Sequence, residues 1–136
     1  MRIRHARYAD IENILALWND AEAAPTVTDD ASSIDRLIHR DRASFFVAEE
    51  DGALVGTLIA GYDGWRGHLY RMAVHPNVRR RGIARDLVTE AEEHLRAIGC
   101  KRIDAHVLAE EEHAVAFWEA CGYSRQAEIG RFVKST

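Results

Sequence analysis

Three consecutive arginines followed by a glycine, Arg79-Arg80-Arg81-Gly82, stand where an extended segment gives way to helical periodicity. The full stretch reads Val74-His75-Pro76-Asn77-Val78-Arg79-Arg80-Arg81-Gly82-Ile83-Ala84-Arg85-Asp86. Pro76 has no N–H to give to a sheet and biases His75 towards an extended backbone, so a strand ends there. Gly82 lets backbone amides approach a ligand with no side chain in the way. Unpaired N–H groups at a helix start favour an anion, and the arginines add positive charge. This chemistry is that of a cradle for a phosphate or pyrophosphate.

The elements that must position this cradle fit in one domain. A chain of 136 residues, 47% of them hydrophobic, can bury a real core. Its net charge of -4 argues against general affinity for nucleic acid or an anionic membrane, so the arginine run is a local patch. Cys100 and Cys121 are too few and too far apart for a zinc cluster or a disulfide framework. The N-terminus shows no apolar signal region, and no apolar run reaches the length of a membrane span. These features predict a soluble, cytoplasmic domain.

In chain order, residues 2–6 alternate and predict a strand. A helix then starts near Asp10, with Ile11, Ile14, Leu15 and Trp18 on one face. Residues 19–30 read as a loop, after which Ser32 and Ser33 can cap a helix carrying Ile34, Leu37 and Ile38. Strands are expected over 44–49 and 53–61, joined by the Asp51-Gly52 hairpin, and over 68–74 after a glycine-rich turn. Ile83, Ala84, Leu87, Val88, Ala91, Leu95 and Ile98 form the stripe of an amphipathic helix that Gly99 stops. A strand over 102–108, parallel to 68–74, would complete a βαβ unit. A helix over 111–121 with Ala114, Phe117, Trp118 and Cys121 on one face follows, and residues from Tyr123 to Lys134 read as one or two closing strands. The order predicts a mixed α/β sheet with helices on both faces.

Two patterns in this frame resemble the GNAT superfamily of acyl-CoA N-acyltransferases. Arg79-x-x-Gly82-x-Ala84, preceded by Val74-His75-Pro76, is similar to that family's cofactor signature. Ala114-x-x-Phe117-Trp118-x-x-x-Gly122-Tyr123 resembles its second signature, and spacing and element order agree along nearly the whole chain. The resemblance implies a GNAT-like fold: a mixed, mostly antiparallel central sheet whose parallel strand pair, 68–74 and 102–108, splays apart. It implies acetyl-CoA as co-substrate and no metal. Arg79, Arg80, Arg81, Gly82, Ile83 and Ala84 would take the pyrophosphate, and Met72, Ala73 and Val74 the pantetheine arm and thioester. Glu111, Phe117 and Trp118 would wall the other side, Glu111 standing where many relatives have asparagine.

The resemblance also names the places where an acid and a base would stand. Trp118 replaces the tyrosine that serves many relatives as the thiolate's acid, leaving Tyr123, Tyr70, His113 or a water. His106 and Tyr70 occupy strand positions where relatives carry a catalytic glutamate, and a histidine titrates near neutral pH. His106 also has a plain reading, as a hydrogen-bonded strand histidine. Trp18, Glu22 and Asp29-Asp30 belong to the flap loop near which the acceptor would bind, Trp18 and Glu22 being candidate substrate-binding residues, and these acids would suit a cationic amine. The implied activity is acetyl transfer to a primary amine of a small molecule or peptide by direct transfer in a ternary complex. The alternative is a domain that binds acyl-CoA as a sensor without turnover. No nucleic-acid or membrane partner is expected, and monomer and homodimer are both open.

Overall fold

The computed structural model describes residues 1–23 and 25–136, so Ala24, within the expected 19–30 loop, lies outside the described residues. The strands are β1 (Arg2–His5), β2 (Phe45–Glu50), β3 (Ala53–Tyr62), β4 (Gly67–Val74) and β5 (Ile103–Ala105). The helices are α1 (Ile11–Asp20), α2 (Ala31–Asp41), α3 (Ile83–Ala97) and α4 (Glu112–Ala120). One sheet runs in the order β1-β2-β3-β4-β5, antiparallel throughout except for the parallel β4–β5 pair. The expected mixed sheet with helices on both faces is what the chain forms.

Strand β2 shows why the sheet is covered twice. Phe45 and Val47 belong to a core with Ile14, Trp18, Ile34 and Ile38 from α1 and α2. Phe46 and Ala48, pointing the other way, pack with Leu87, Val88, Ala91 and Leu95 of α3 and Trp118 of α4. A strand buried on both faces reads as a continuous apolar run, as Phe45-Phe46-Val47-Ala48 does. At Gly56 a Cβ would stand 3.1 Å from Leu87 Cδ1 and 3.3 Å from the Ala73 carbonyl oxygen. That glycine lets α3 sit close on the sheet, so the helix start is held at the C-terminal end of β4.

Four expectations are corrected. The α2 cap is Asp30, whose Oδ1 accepts from the Ser33 N–H at 2.7 Å; Ser32 and Ser33 lie inside the helix. Helix α3 ends at Ala97, one residue before Ile98, whose side chain turns out to solvent at 47% exposure. The strand expected over 102–108 is only Ile103–Ala105, because its neighbour β4 is in register with it over three residues. No regular element follows Ala120, and Phe132 and Val133 are exposed. Residues 123–134 have the composition of strand, but the short β5 offers almost no ladder on which to extend the sheet.

Candidate active site

The site begins where β4 and β5 part. Gly67, His68 and Leu69 pair with Ile103, Asp104 and Ala105, and the His106 N–H to Leu69 carbonyl bond, 3.2 Å, is the last of the ladder. At the same level β4 bulges: Thr57 faces Ala73 but Ile59 faces Tyr70, and Arg71 sits at φ +51°. A bulge increases local twist, which turns the outer half of β4 away from a partner. The His75 N–H donates to the Val55 carbonyl at 2.8 Å, so His75 faces β3. Alternation then puts the amide and carbonyl of Val74, and those of Met72, on the opposite edge, facing the cleft. Ala73 turns its backbone to β3 and its side chain into the α1–α2 core.

From Val74 the chain passes through a short 3-10 turn, Pro76–Val78, into the arginine run. Arg79 is extended, Arg80 is left-handed at φ +66°, and Gly82 caps α3 at φ +80°. Left-handed residues interleaved with other conformations are how backbone amides converge into an anion-binding concavity. No side chain caps this helix, and Asp86 N–H to Gly82 carbonyl, 3.0 Å, is its first hydrogen bond. The amides of Ile83, Ala84 and Arg85 therefore precede the ladder, next to the cleft edge of β4. The arginines divide their work in a way their spacing does not reveal. Arg79 Nε donates to the Val74 carbonyl at 3.3 Å, and Arg81 pairs with Glu50 at 2.7 Å. Arg80 is exposed at the rim.

The second signature forms the far wall. Trp118, 7% exposed, is a core residue with its ring edge-on to Phe117 at 5.3 Å and to Tyr123 at 5.1 Å. The Tyr123 hydroxyl donates to Glu92 of α3 at 2.7 Å. Burial, then the Glu92 carboxylate, pushes its ionisation well above the ordinary tyrosine value, which makes it a weaker acid. Glu111 and His113, at the start of α4, are exposed, and the Glu111 side chain caps nothing.

At the floor of the split, His106 lies edge-on to the Tyr70 ring at 4.8 Å, with its Nε2 3.4 Å from Asp104 Oδ1. Burial, then the charge of Arg131, lowers the ionisation of His106, so the ring favours its neutral, proton-accepting form. Burial raises that of Tyr70. The acceptor side is built around the bulge. Trp18, 5% exposed, stacks on Phe45, and its indole N–H donates to Thr57 Oγ1 at 2.9 Å. Thr57 in turn donates to the Arg71 carbonyl at 2.9 Å. Trp18 thus props the bulge from inside, while Glu22 is exposed on the loop above. Sequence reasoning placed Asp29 in the acceptor loop as an acid suited to a cationic amine, and missed Arg71, its partner, together with His68 and Asp104. A charged residue in the middle of an apolar strand was the available signal for Arg71. A groove of ≈ 2800 Å³ runs from Asp29 past Met72 and Gly82 to Phe117.

A sheet parted beside an uncapped helix N-terminus offers an amide-lined edge leading to an anion site, and comparison with known proteins gives that arrangement its family. Residues 11–123 match the model of the Acetyltransferase (GNAT) family, and the chain belongs to that family. An acetyltransferase of Sodalis glossinidius is 35% identical over 129 residues, covering 95% of this chain and 91% of that protein. The ribosomal-protein-alanine N-acetyltransferase of Brucella melitensis superposes with a TM-score of 0.74 at 28% identity, covering 90% of this chain and 83% of that one. The PaiA N-acetyltransferase of Thermoplasma acidophilum, solved in complex with coenzyme A, superposes at 0.82 with 16% identity, covering 92% and 90%. Among the described residues no helix is long and apolar enough to cross a membrane.

Proposed function

We propose that the protein transfers an acetyl group from acetyl-CoA to a primary amine of a small molecule or peptide, with donor and acceptor bound together. One observation carries this reading: the edge of Met72 and Val74, beyond the β4–β5 ladder, leads through the arginine turn to the uncapped N-terminus of α3. A pantetheine arm, itself built of amides, fits the edge as a strand would, and a pyrophosphate fits the helix start. The coenzyme A in the Thermoplasma structure supports a coenzyme A thioester as the donor here.

In this reaction the amine nitrogen attacks the thioester carbonyl, and the carbonyl oxygen takes up the negative charge. An amide N–H on the Met72–Val74 edge can stabilise that oxyanion. The C–S bond then breaks, the amide product forms, and the proton lost by the amine balances the departing thiolate. His106 is the proposed acceptor of that proton. Alignment of the two reactants contributes roughly 7–11 kcal/mol in favourable cases, and proton transfer about a hundred- to ten-thousandfold in rate. The backbone cradle therefore matters more than any one side chain.

A second reading, an acyl-CoA sensor, is favoured by the engagement of Tyr123 with Glu92 and by Trp118 standing in the place of the usual tyrosine. Thiol release from acetyl-CoA across a panel of amines and peptides separates the two. Release that requires an amine supports the enzyme, whereas saturable acetyl-CoA binding with no release from any acceptor supports the sensor.

A further inference from the structure

His68 and Asp104 are registered partners in the parallel pair, and His106, two residues beyond Asp104, falls on the same face. His68 Nδ1 lies 3.1 Å from both Asp104 oxygens, and His106 Nε2 lies 3.4 Å from Asp104 Oδ1. The other nitrogen of His68, Nε2, lies 3.4 Å from Asp63 Oδ2. Asp63 is itself fixed by the N–H groups of Trp65 and Arg66 at 2.8 and 2.7 Å. A neutral imidazole carries one N–H, so it can donate to only one of these carboxylates. If Nε2–H serves Asp63, a lone pair on Nδ1 points at Asp104; if Nδ1–H serves Asp104, a lone pair on Nε2 faces Asp63, so in either tautomer a cation, a proton on the ring or a metal ion, relieves one carboxylate.

We propose that His68 Nδ1, an Asp104 carboxylate oxygen and His106 Nε2 form a binding site for a divalent transition metal, with zinc as the ion they fit best. The three donor atoms lie within 4.8 Å of one another. Ligands at about 2.0–2.2 Å from a tetrahedral zinc stand about 3.3 Å apart, and two edges of this triangle are already near that spacing. Two imidazoles and one carboxylate suit zinc, nickel or copper rather than magnesium or calcium. Asp63 takes the role of the outer carboxylate that fixes the tautomer of a ligating histidine. The side chains of His68, Asp104 and His106 are 26%, 51% and 30% exposed, so an ion can enter from solvent. The charge of Arg131 near His106 opposes a cation, but Arg131 is itself exposed and screened by water. The ion would join β4 to β5 at the point where they part.

The site shares His106 with the acyl-transfer reading, but its test is independent of that reading because binding is read directly, without acetyl-CoA. Chelator-stripped protein is titrated with Zn²⁺ by calorimetry, and with Co²⁺ while the visible spectrum is recorded. The expected result is one equivalent bound and the absorption of tetrahedral cobalt. His68→Ala and His106→Ala should each abolish both signals, while His39→Ala leaves them unchanged. Asp63→Asn, which removes no ligand, should weaken zinc about 10- to 100-fold. Circular dichroism confirms that each variant is folded. Absence of stoichiometric binding, or binding that survives both histidine substitutions in folded protein, overturns the site.

Discussion

The guanidinium of Arg71 joins the bulge of β4 to the loop between α1 and α2 through Asp29, with Nε donating to Oδ1 at 3.0 Å and a second nitrogen meeting Oδ2. The same group lies 5.3 Å from the ring of Trp18, which in turn supports the bulge through Thr57. One residue at a left-handed φ thus ties the edge that would hold the thioester to the loop that would hold the acceptor.

Cutting that tie should change acceptor binding more than donor binding. Both side chains are mostly shielded, so Asp29→Ala should cost about 1.5–3 kcal/mol of stability, the worth of a charged hydrogen bond. The acceptor KM should rise while the acetyl-CoA dissociation constant stays within about twofold. Steady-state kinetics with calorimetry checks this, and an unchanged acceptor KM would refute the coupling.

Gly82 tests the donor site. Nothing stands within 4 Å of a Cβ built there, so Gly82→Val meets no wall and is strained by its φ of +80° alone. That strain should cost about 1–3 kcal/mol, within what a folded domain tolerates. Its side chain would stand among the amides that precede the helical ladder, and acetyl-CoA affinity should fall at least about tenfold. Unaltered affinity in a folded variant would remove the anion cradle from the mechanism.

Two substitutions separate the proton-handling candidates. Tyr123→Phe removes a hydroxyl bonded to Glu92 and should cost about 1 kcal/mol in a thermal melt, with little change in turnover. His106→Gln should lower turnover about a hundred- to ten-thousandfold while sparing acetyl-CoA affinity. Both are measured with chelator present, so that metal occupancy plays no part. The reverse pattern, a collapse in Tyr123→Phe alone, would make Tyr123 the acid.

Acid stability should depend on Asp10. It is buried, accepts from Arg4 at 2.8 and 3.0 Å and from the Arg7 N–H at 2.8 Å, and the bond from Arg4 chiefly holds its carboxyl below the usual carboxylate range. A folded-state pKa that is depressed gives stability present above the unfolded value and lost as pH falls through the folded one. Wild type should therefore exceed Asp10→Asn at neutral pH, and the two should converge below the ordinary carboxylate range of about 4. Parallel thermal melts across that range would show it.

What the sequence determined by itself was local or periodic. The Asp51-Gly52 turn, the α3 stripe and its Gly99 stop, the end of β4 before Pro76 and the glycine opening of α3 all follow from neighbouring residues. The β2–β3 hairpin and the parallel β4–β5 pair followed from their connections, and two signatures at the right spacing named the family. Only the tertiary structure decided how far each strand finds a partner. It shortened β5, left residues 123–134 outside the sheet and placed the bulge at Arg71, because pairing depends on both strands and periodicity describes one. It also decided which charges are committed. Arg81 goes to Glu50, Tyr123 to Glu92 and Arg71 to Asp29, partners 31 to 42 residues distant. Such pairs leave no mark on local spacing, since the fold alone brings them within hydrogen-bond reach.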